Sequence, residues 1–405
     1  MDTKDISILR ELAEKYMEIS SCGQDEKRSI WRHLNSLKTI RPPIYIRAFA
    51  WNEMPQSKCY CTDPFYRHFE YFLRGELFRS TFGDDYIFEP WINLPASYNF
   101  TGWGIAPKTN YADETVNLGA YKEEFPIRKA EDIKKLRMPF HSIDENKTAA
   151  DFEKLDSAIG DIIKVNIARH PFSWVWSGDI STIIGHLRGI ENIMMDMMDD
   201  PDWLHSLLAF LRDGILKTHQ EAERNGDLSL ADHYNQAMSY SLELEDPDPA
   251  SRNVLTKQLW HFAASQEYTC VSPEMQDEFL LKYQMPVFEK YGMVAYGCCE
   301  DLTNKIGMLR KIPNLRRIAV SPFANVEKCA EQIRLDYVMS YRPSPADMVS
   351  YSLDGERIKR ILRRDLSICK GHHFDITLKD VETVERDPDR ISHWVAIVKD
   401  ILAEI

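Results

Sequence analysis

No stretch of this chain approaches the roughly 18 consecutive apolar residues that a membrane-spanning helix requires. The first twenty residues also lack the uninterrupted apolar core of a secretory signal. They read as an amphipathic helix with charges throughout. Positive charge is short as well: 50 Lys and Arg against 63 Asp and Glu leave a net charge of −13. That balance argues against a nucleic-acid backbone or an anionic membrane surface as partner. The local basic patch of Arg310, Lys311, Arg316 and Arg317 reads as a solvated helix end and loop. Eight cysteines in 405 residues are too few for a disulfide framework. Without a signal segment they read as reduced thiols, and the expected compartment is the cytoplasm. Gly/Ser- or Pro-rich linkers and internal repeats are absent, so nothing divides the chain into an array.

What is present is ample core-forming material, 44% hydrophobic and 28% charged residues, arranged as short apolar runs between helical stretches. Residues 1–40 read as a helical extension. Pro42 and Pro43 then open Ile44, Tyr45 and Ile46 as a first strand, because proline stops a helix and β-branched residues favour extension. Further runs end in polar groups: Leu228 to His233, Met293 to Tyr296 followed by Gly297, Cys298, Cys299 and Glu300, Arg317 to Val320, Tyr337 to Met339 before Tyr341 and Arg342, and Phe374 to Leu378 before Lys379 and Asp380. Polar groups at the carboxyl ends of successive strands are what an α/β barrel uses to build an active-site face. The expected fold is therefore a (β/α)8 TIM barrel over residues 41–405. Two adjacent thiols followed by a carboxylate at one strand end mark a candidate metal or nucleophile site.

Ile190 to Asp200, Pro201 to Trp203, Ser272 to Met275, Gly297 to Glu300, Ile312 to Arg317 with Ser321 and Pro322, and Leu378 to Asp380 together resemble the uroporphyrinogen decarboxylase superfamily. The likeness covers roughly residues 160–405. It implies a single (β/α)8 barrel and two activities: cofactor-free decarboxylation of tetrapyrroles, or zinc-dependent methyl transfer linked to a corrinoid protein. For the methyltransferase branch, which uses His-x-Cys and a later Cys on zinc, Cys298 matches the first cysteine. Tyr296 occupies the histidine position, and the later ligand position falls on His372. With the adjacent carboxylate Glu300 added, the expected Zn2+ set is Cys298, Glu300 and His372, and the resemblance implies a corrinoid supplied by a partner protein and a small methoxylated aromatic or thiol as substrate. For the decarboxylase branch, Arg47 matches one arginine of the propionate-binding segment, while that segment's glycine and second arginine are missing.

Other residues complete the expectation. Asp232 and His233 end a strand run and read either as acid/base groups or as a hydrogen-bonded loop cluster. Arg47, Tyr341, Arg342 and Lys379 are candidates to bind substrate, with salt bridges to neighbouring groups as the alternative. Trp51, Trp91, Trp103 and Trp176 are candidates to line a cleft for a flat ligand. Three readings follow: a corrinoid-linked methyltransferase, a cofactor-free decarboxylase of a polycarboxylate, and a barrel that binds a small ligand without turnover.

Overall fold

The computed structural model describes residues 3–112, 120–172, 178–350 and 353–404; Trp176 lies outside them. Among the described residues there are ten strands: β1 (Ile44–Ile46), β2 (Trp91–Pro95), β3 (Lys108–Tyr111), β4 (Tyr121–Glu124), β5 (Lys164–Ala168), β6 (Trp260–Ala263), β7 (Met293–Tyr296), β8 (Leu315–Val320), β9 (Val338–Tyr341) and β10 (Phe374–Leu378). Six form one parallel sheet in the order β1-β10-β9-β8-β7-β6. β2 and β5 make a separate parallel pair, and β3 with β4 an antiparallel hairpin.

The expected closed cylinder is thus corrected to a curled half-barrel with an open side. Hydrogen bonding at its two edges explains why. Beyond β1, the Asp85 amide donates to the Ile44 carbonyl at 2.8 Å, but the Ile44 and Ile46 amides donate to the carboxylates of Asp85 and Asp84. Side chains occupy donors that a further strand would need. Beyond β6, the expected strand Leu228 to His233 is instead a 3₁₀ turn over Leu230–Asp232. The Trp260 amide donates to His233 Nδ1 and its carbonyl accepts from the Tyr234 amide, so both ladder groups are used by a loop.

Period-two alternation sorts the strands into two faces. Val294, Tyr296, Ile318, Val320, Met339, Tyr341, Ile376 and Leu378 join the large core under the helices. Trp260, Phe262, Met293 and Ala295 lie on the inner face, as do Arg317, Ser340, Asp375 and Thr377, which are joined by hydrogen bonds. The two N-terminal helices pack into this body. The helix Gln24–Asn35 sets Trp31 and Leu34 against Tyr45 and Val338, and the helix Thr3–Ser20 sets Leu9, Leu12 and Tyr16 against Tyr66, Phe69 and Leu73. Among the described residues no helix is long and apolar enough to cross a membrane.

Candidate active site

Alternation on the inner face carries Arg47 past the end of β1, Arg342 past β9 and Lys379 past β10, all at the carboxyl ends of their strands. After β7 the chain turns at Gly297, whose φ of +101° is open to glycine and strained for other residues. A Cβ there would lie 2.6 Å from Leu302 Cδ1 and 3.0 Å from the Ala319 methyl. This turn breaks the alternation, so Tyr296 enters the helix-covered core while Cys298 joins the inner-face cluster.

The two sulfurs then meet the cations. Lys379 Nζ lies 2.9 Å from Cys298 Sγ and 3.0 Å from Cys299 Sγ, and the sulfurs are 3.6 Å apart. Arg342 donates to the Cys298 and Gly297 carbonyls at 2.8 and 3.3 Å. Gln236 donates to Cys298 Sγ at 3.5 Å. A hydrogen bond from Cys299 lowers the Cys298 thiol below its ordinary value; burial opposes this, and the Arg342 and Lys379 charges reinforce it. Cys299 is pushed up, first by holding that proton for Cys298 and then by burial. Burial and Arg342 pull Lys379 down, but the two sulfurs outweigh them and leave it raised. The arrangement is a thiolate held among buried cations.

Two buried polar atoms here, Arg342 Nε and Gln236 Oε1, have no partner among the described residues. Such atoms are uncommon in a folded protein and point at what a bound molecule would satisfy. Arg47, whose charge reaches Tyr234 and Arg342, has no ion pair among the described residues.

The expected metal set is not assembled. Glu300 is committed to the backbone: Oε1 accepts from the Ser265 amide and hydroxyl at 2.7 and 3.0 Å, and Oε2 from the Cys298 amide at 2.8 Å. It shapes the turn that presents Cys298. His372 precedes β10, whereas Cys298 follows β7. In a parallel sheet these are opposite ends, and His372 lines a cavity there with Thr39, Arg41 and Pro42. Among the described residues no group of three His, Cys, Asp or Glu side chains is placed to hold a metal ion. These residues do not fit zinc.

The remaining candidates also separate. Tyr296 donates to Gln284 at 3.1 Å within the helix layer, and Tyr341 donates to Asp365 at 2.7 Å on the same side, so neither reaches Cys298. Asp232 accepts from Ser229 at 2.7 and 3.0 Å as a turn cap. His233 braces the amino end of β6, and burial lowers it to about 4. Trp51 is packed against Phe49 and Phe78, and Trp91 lines a cavity with Tyr45, Tyr234 and Tyr240.

Three participants escape sequence reasoning: Gln236, Tyr234 and Asp179. The first two lie on an irregular segment with no periodicity. Asp179 had a local signal, as an acidic residue just before an apolar helical run. It caps the helix Ile180–Arg188, accepting from Thr182, and accepts from the Ala264 amide at 3.3 Å. Burial, then the Glu267 charge, push it up to about 8. Thr182 also lines a cavity of about 360 Å³ whose walls include Tyr98, Phe100, Trp103, Phe140 and Phe172.

No protein-family model matches the sequence, and no curated protein matches it. In fold the chain is similar to a methyltransferase from Methanosarcina mazei, with a TM-score of 0.52 over 92% of this chain and 98% of that chain, at 10% sequence identity. At that identity the likeness is one of fold.

Proposed function

We propose that this chain is an enzyme of the uroporphyrinogen decarboxylase superfamily that exchanges a methyl group between a small anionic substrate and a corrinoid protein. One observation carries the reading: Arg47, Arg342 and Lys379 gather at one strand-end mouth around Cys298, while the buried carboxylates nearby are already committed, Glu300 to the Ser265 and Cys298 amides and Asp375 to Arg317. The Asp380 carboxylate beside Lys379 is half exposed. This surplus of fixed cations suits a carboxylate or phenolate. The fold shared with a methyltransferase and the aromatic cavity lined by Thr182, a hydrogen-bond partner of Asp179, support a methoxylated aromatic acid as substrate class.

A corrinoid on a second protein would supply the reactive methyl carrier. The chain's own groups bind and stabilise charge. Arg342 Nε and Arg47 hold the substrate's anionic group. Lys379 faces the oxygen or sulfur that parts with the methyl group, stabilising the negative charge that develops on it. Cys298 is a positioning residue, since its thiolate keeps Lys379 charged and in place. No step runs through zinc, because Cys298, Glu300 and His372 do not meet.

Free reduced cobalamin and a panel of methoxybenzoates and S-methylated carboxylates provide the test, with methylcobalamin formation followed by absorbance. The reading expects methylation from at least one anionic donor, and a raised KM in Arg342→Met. The same cation cluster also favours a second reading, decarboxylation of a polycarboxylate. Release of CO2 from such a substrate, with cobalamin unmethylated across the panel, would replace the first reading with the second.

A further inference from the structure

We propose that Cys298 and Cys299 are a modification site, a vicinal dithiol that closes reversibly to a disulfide when a hydroperoxide reaches the mouth. The inference stands on the sulfurs and the lysine alone and does not depend on methyl transfer. The sulfurs already lie 3.6 Å apart, turned to the same side by the Gly297 bend. Lys379 Nζ touches both, at 2.9 and 3.0 Å, so one ammonium serves whichever sulfur carries charge. Cys298 is buried, and Cys299 is partly exposed beside Asp380, which leaves one open approach. Burial pushes up the other buried thiols, Cys61, Cys329 and Cys369, and the nearby Cys59 raises Cys61 further.

The reaction balances with the peroxide as sole oxidant. The Cys298 thiolate attacks one peroxide oxygen; an S–O bond forms, the O–O bond breaks, and the departing hydroxide takes a proton to become water. The Cys299 sulfur then attacks the Cys298 sulfur. The S–S bond forms, the S–O bond breaks, and the second hydroxide leaves with the Cys299 proton as water. Two thiols and one hydrogen peroxide become one disulfide and two waters. Lys379 lies within reach of both departing oxygens and stabilises their charge.

Trypsin supplies a clean readout, because cleavage after Lys290 and Lys305 yields residues 291–305, whose cysteines are Cys298 and Cys299. The full chain is treated with hydrogen peroxide, then alkylated and digested. The peptide is expected to lose two hydrogens, to resist alkylation, and to recover both thiols after dithiothreitol. In Cys299→Ser, Cys298 is expected to stop at the sulfenic acid and be trapped by dimedone. The proposal is overturned if the wild-type peptide yields the dimedone adduct as readily as the variant. An oxygen-bridged link to the Lys379 peptide, or a peptide still unoxidised once the exposed Cys22 and Cys270 have reacted, overturns it equally.

Discussion

Single side chains at the strand ends do the chemistry available here, and alternation decides which of them take part. Arg342 and Lys379 were readable as candidates because a residue just past a strand keeps that strand's parity, and Arg47 follows the same rule. Tyr341, one position off, was lost to the helix layer for that reason. Tyr296 and Cys298 share parity and were expected together; a single left-handed glycine separates them. Asp179 gives a residue-scale prediction. Its folded-state value of about 8 exceeds the ordinary 3.8. The stability this group adds is therefore complete below the unfolded value and lost as pH rises through the folded one. Infrared spectra are expected to show a protonated carboxylic acid at pH 6 that titrates near pH 8 and is missing from Asp179→Asn. A carboxylate already ionised at pH 6 would refute this.

At the level of elements, the β7 turn is the decisive piece. Gly297 and the Glu300 carboxylate together aim Cys298 inward, one by its φ and the other by bonds to Ser265 and the Cys298 amide. Gly297→Ala is expected to cost about 1–3 kcal/mol through backbone strain and contact with Leu302 and Ala319. The same variant should slow alkylation of Cys298 while leaving Cys22 and Cys270 unchanged. Thermal unfolding and peptide-level alkylation check both halves, and an unchanged melting temperature with unchanged Cys298 reactivity would contradict the account. Helix starts follow from local chemistry at this scale: Ser272 caps its helix with Pro273 at the first position, and Asn325 caps the helix Val326–Ile333. The run Leu228 to His233 was not legible as a turn. Its apolar residues satisfy a strand pattern, and the Ser229–Asp232 capping box that overrides it is a side-chain effect.

For the whole molecule, the order of strands was readable from β7 onward, where short apolar runs alternate with helices, whereas β6 (Trp260–Ala263) was not read as a strand. Closure was not readable, because it depends on what the edge strands find. Asp84 and Asp85 at β1, and His233 with Tyr234 at β6, end the sheet through contacts between residues distant in sequence. The metal set failed for a related reason: ligand types and spacing do not say at which end of a strand each residue stands, and His372 stands at the other end. The buried pair Arg317–Asp375 joins β8 to β10, and Arg317 also donates to Asn35 of the second N-terminal helix at 2.7 Å. Arg317→Met leaves Asp375 buried without its cation and is expected to destabilise the fold by about 3–5 kcal/mol in denaturant titrations. Arg317→Met with Asp375→Leu should recover most of that loss, and no recovery would show that the pair does not act as a unit. The central claim, a thiolate at 298 held by Lys379 and Arg342, is tested most directly by iodoacetamide labelling across pH, followed on the peptide 291–305. The account predicts that Cys298 reacts at mildly acidic pH, below the range of an ordinary thiol, and that Lys379→Met slows that reaction by roughly tenfold or more. Labelling of Cys298 only as the pH approaches the ordinary thiol range, or no change in Lys379→Met, would contradict it.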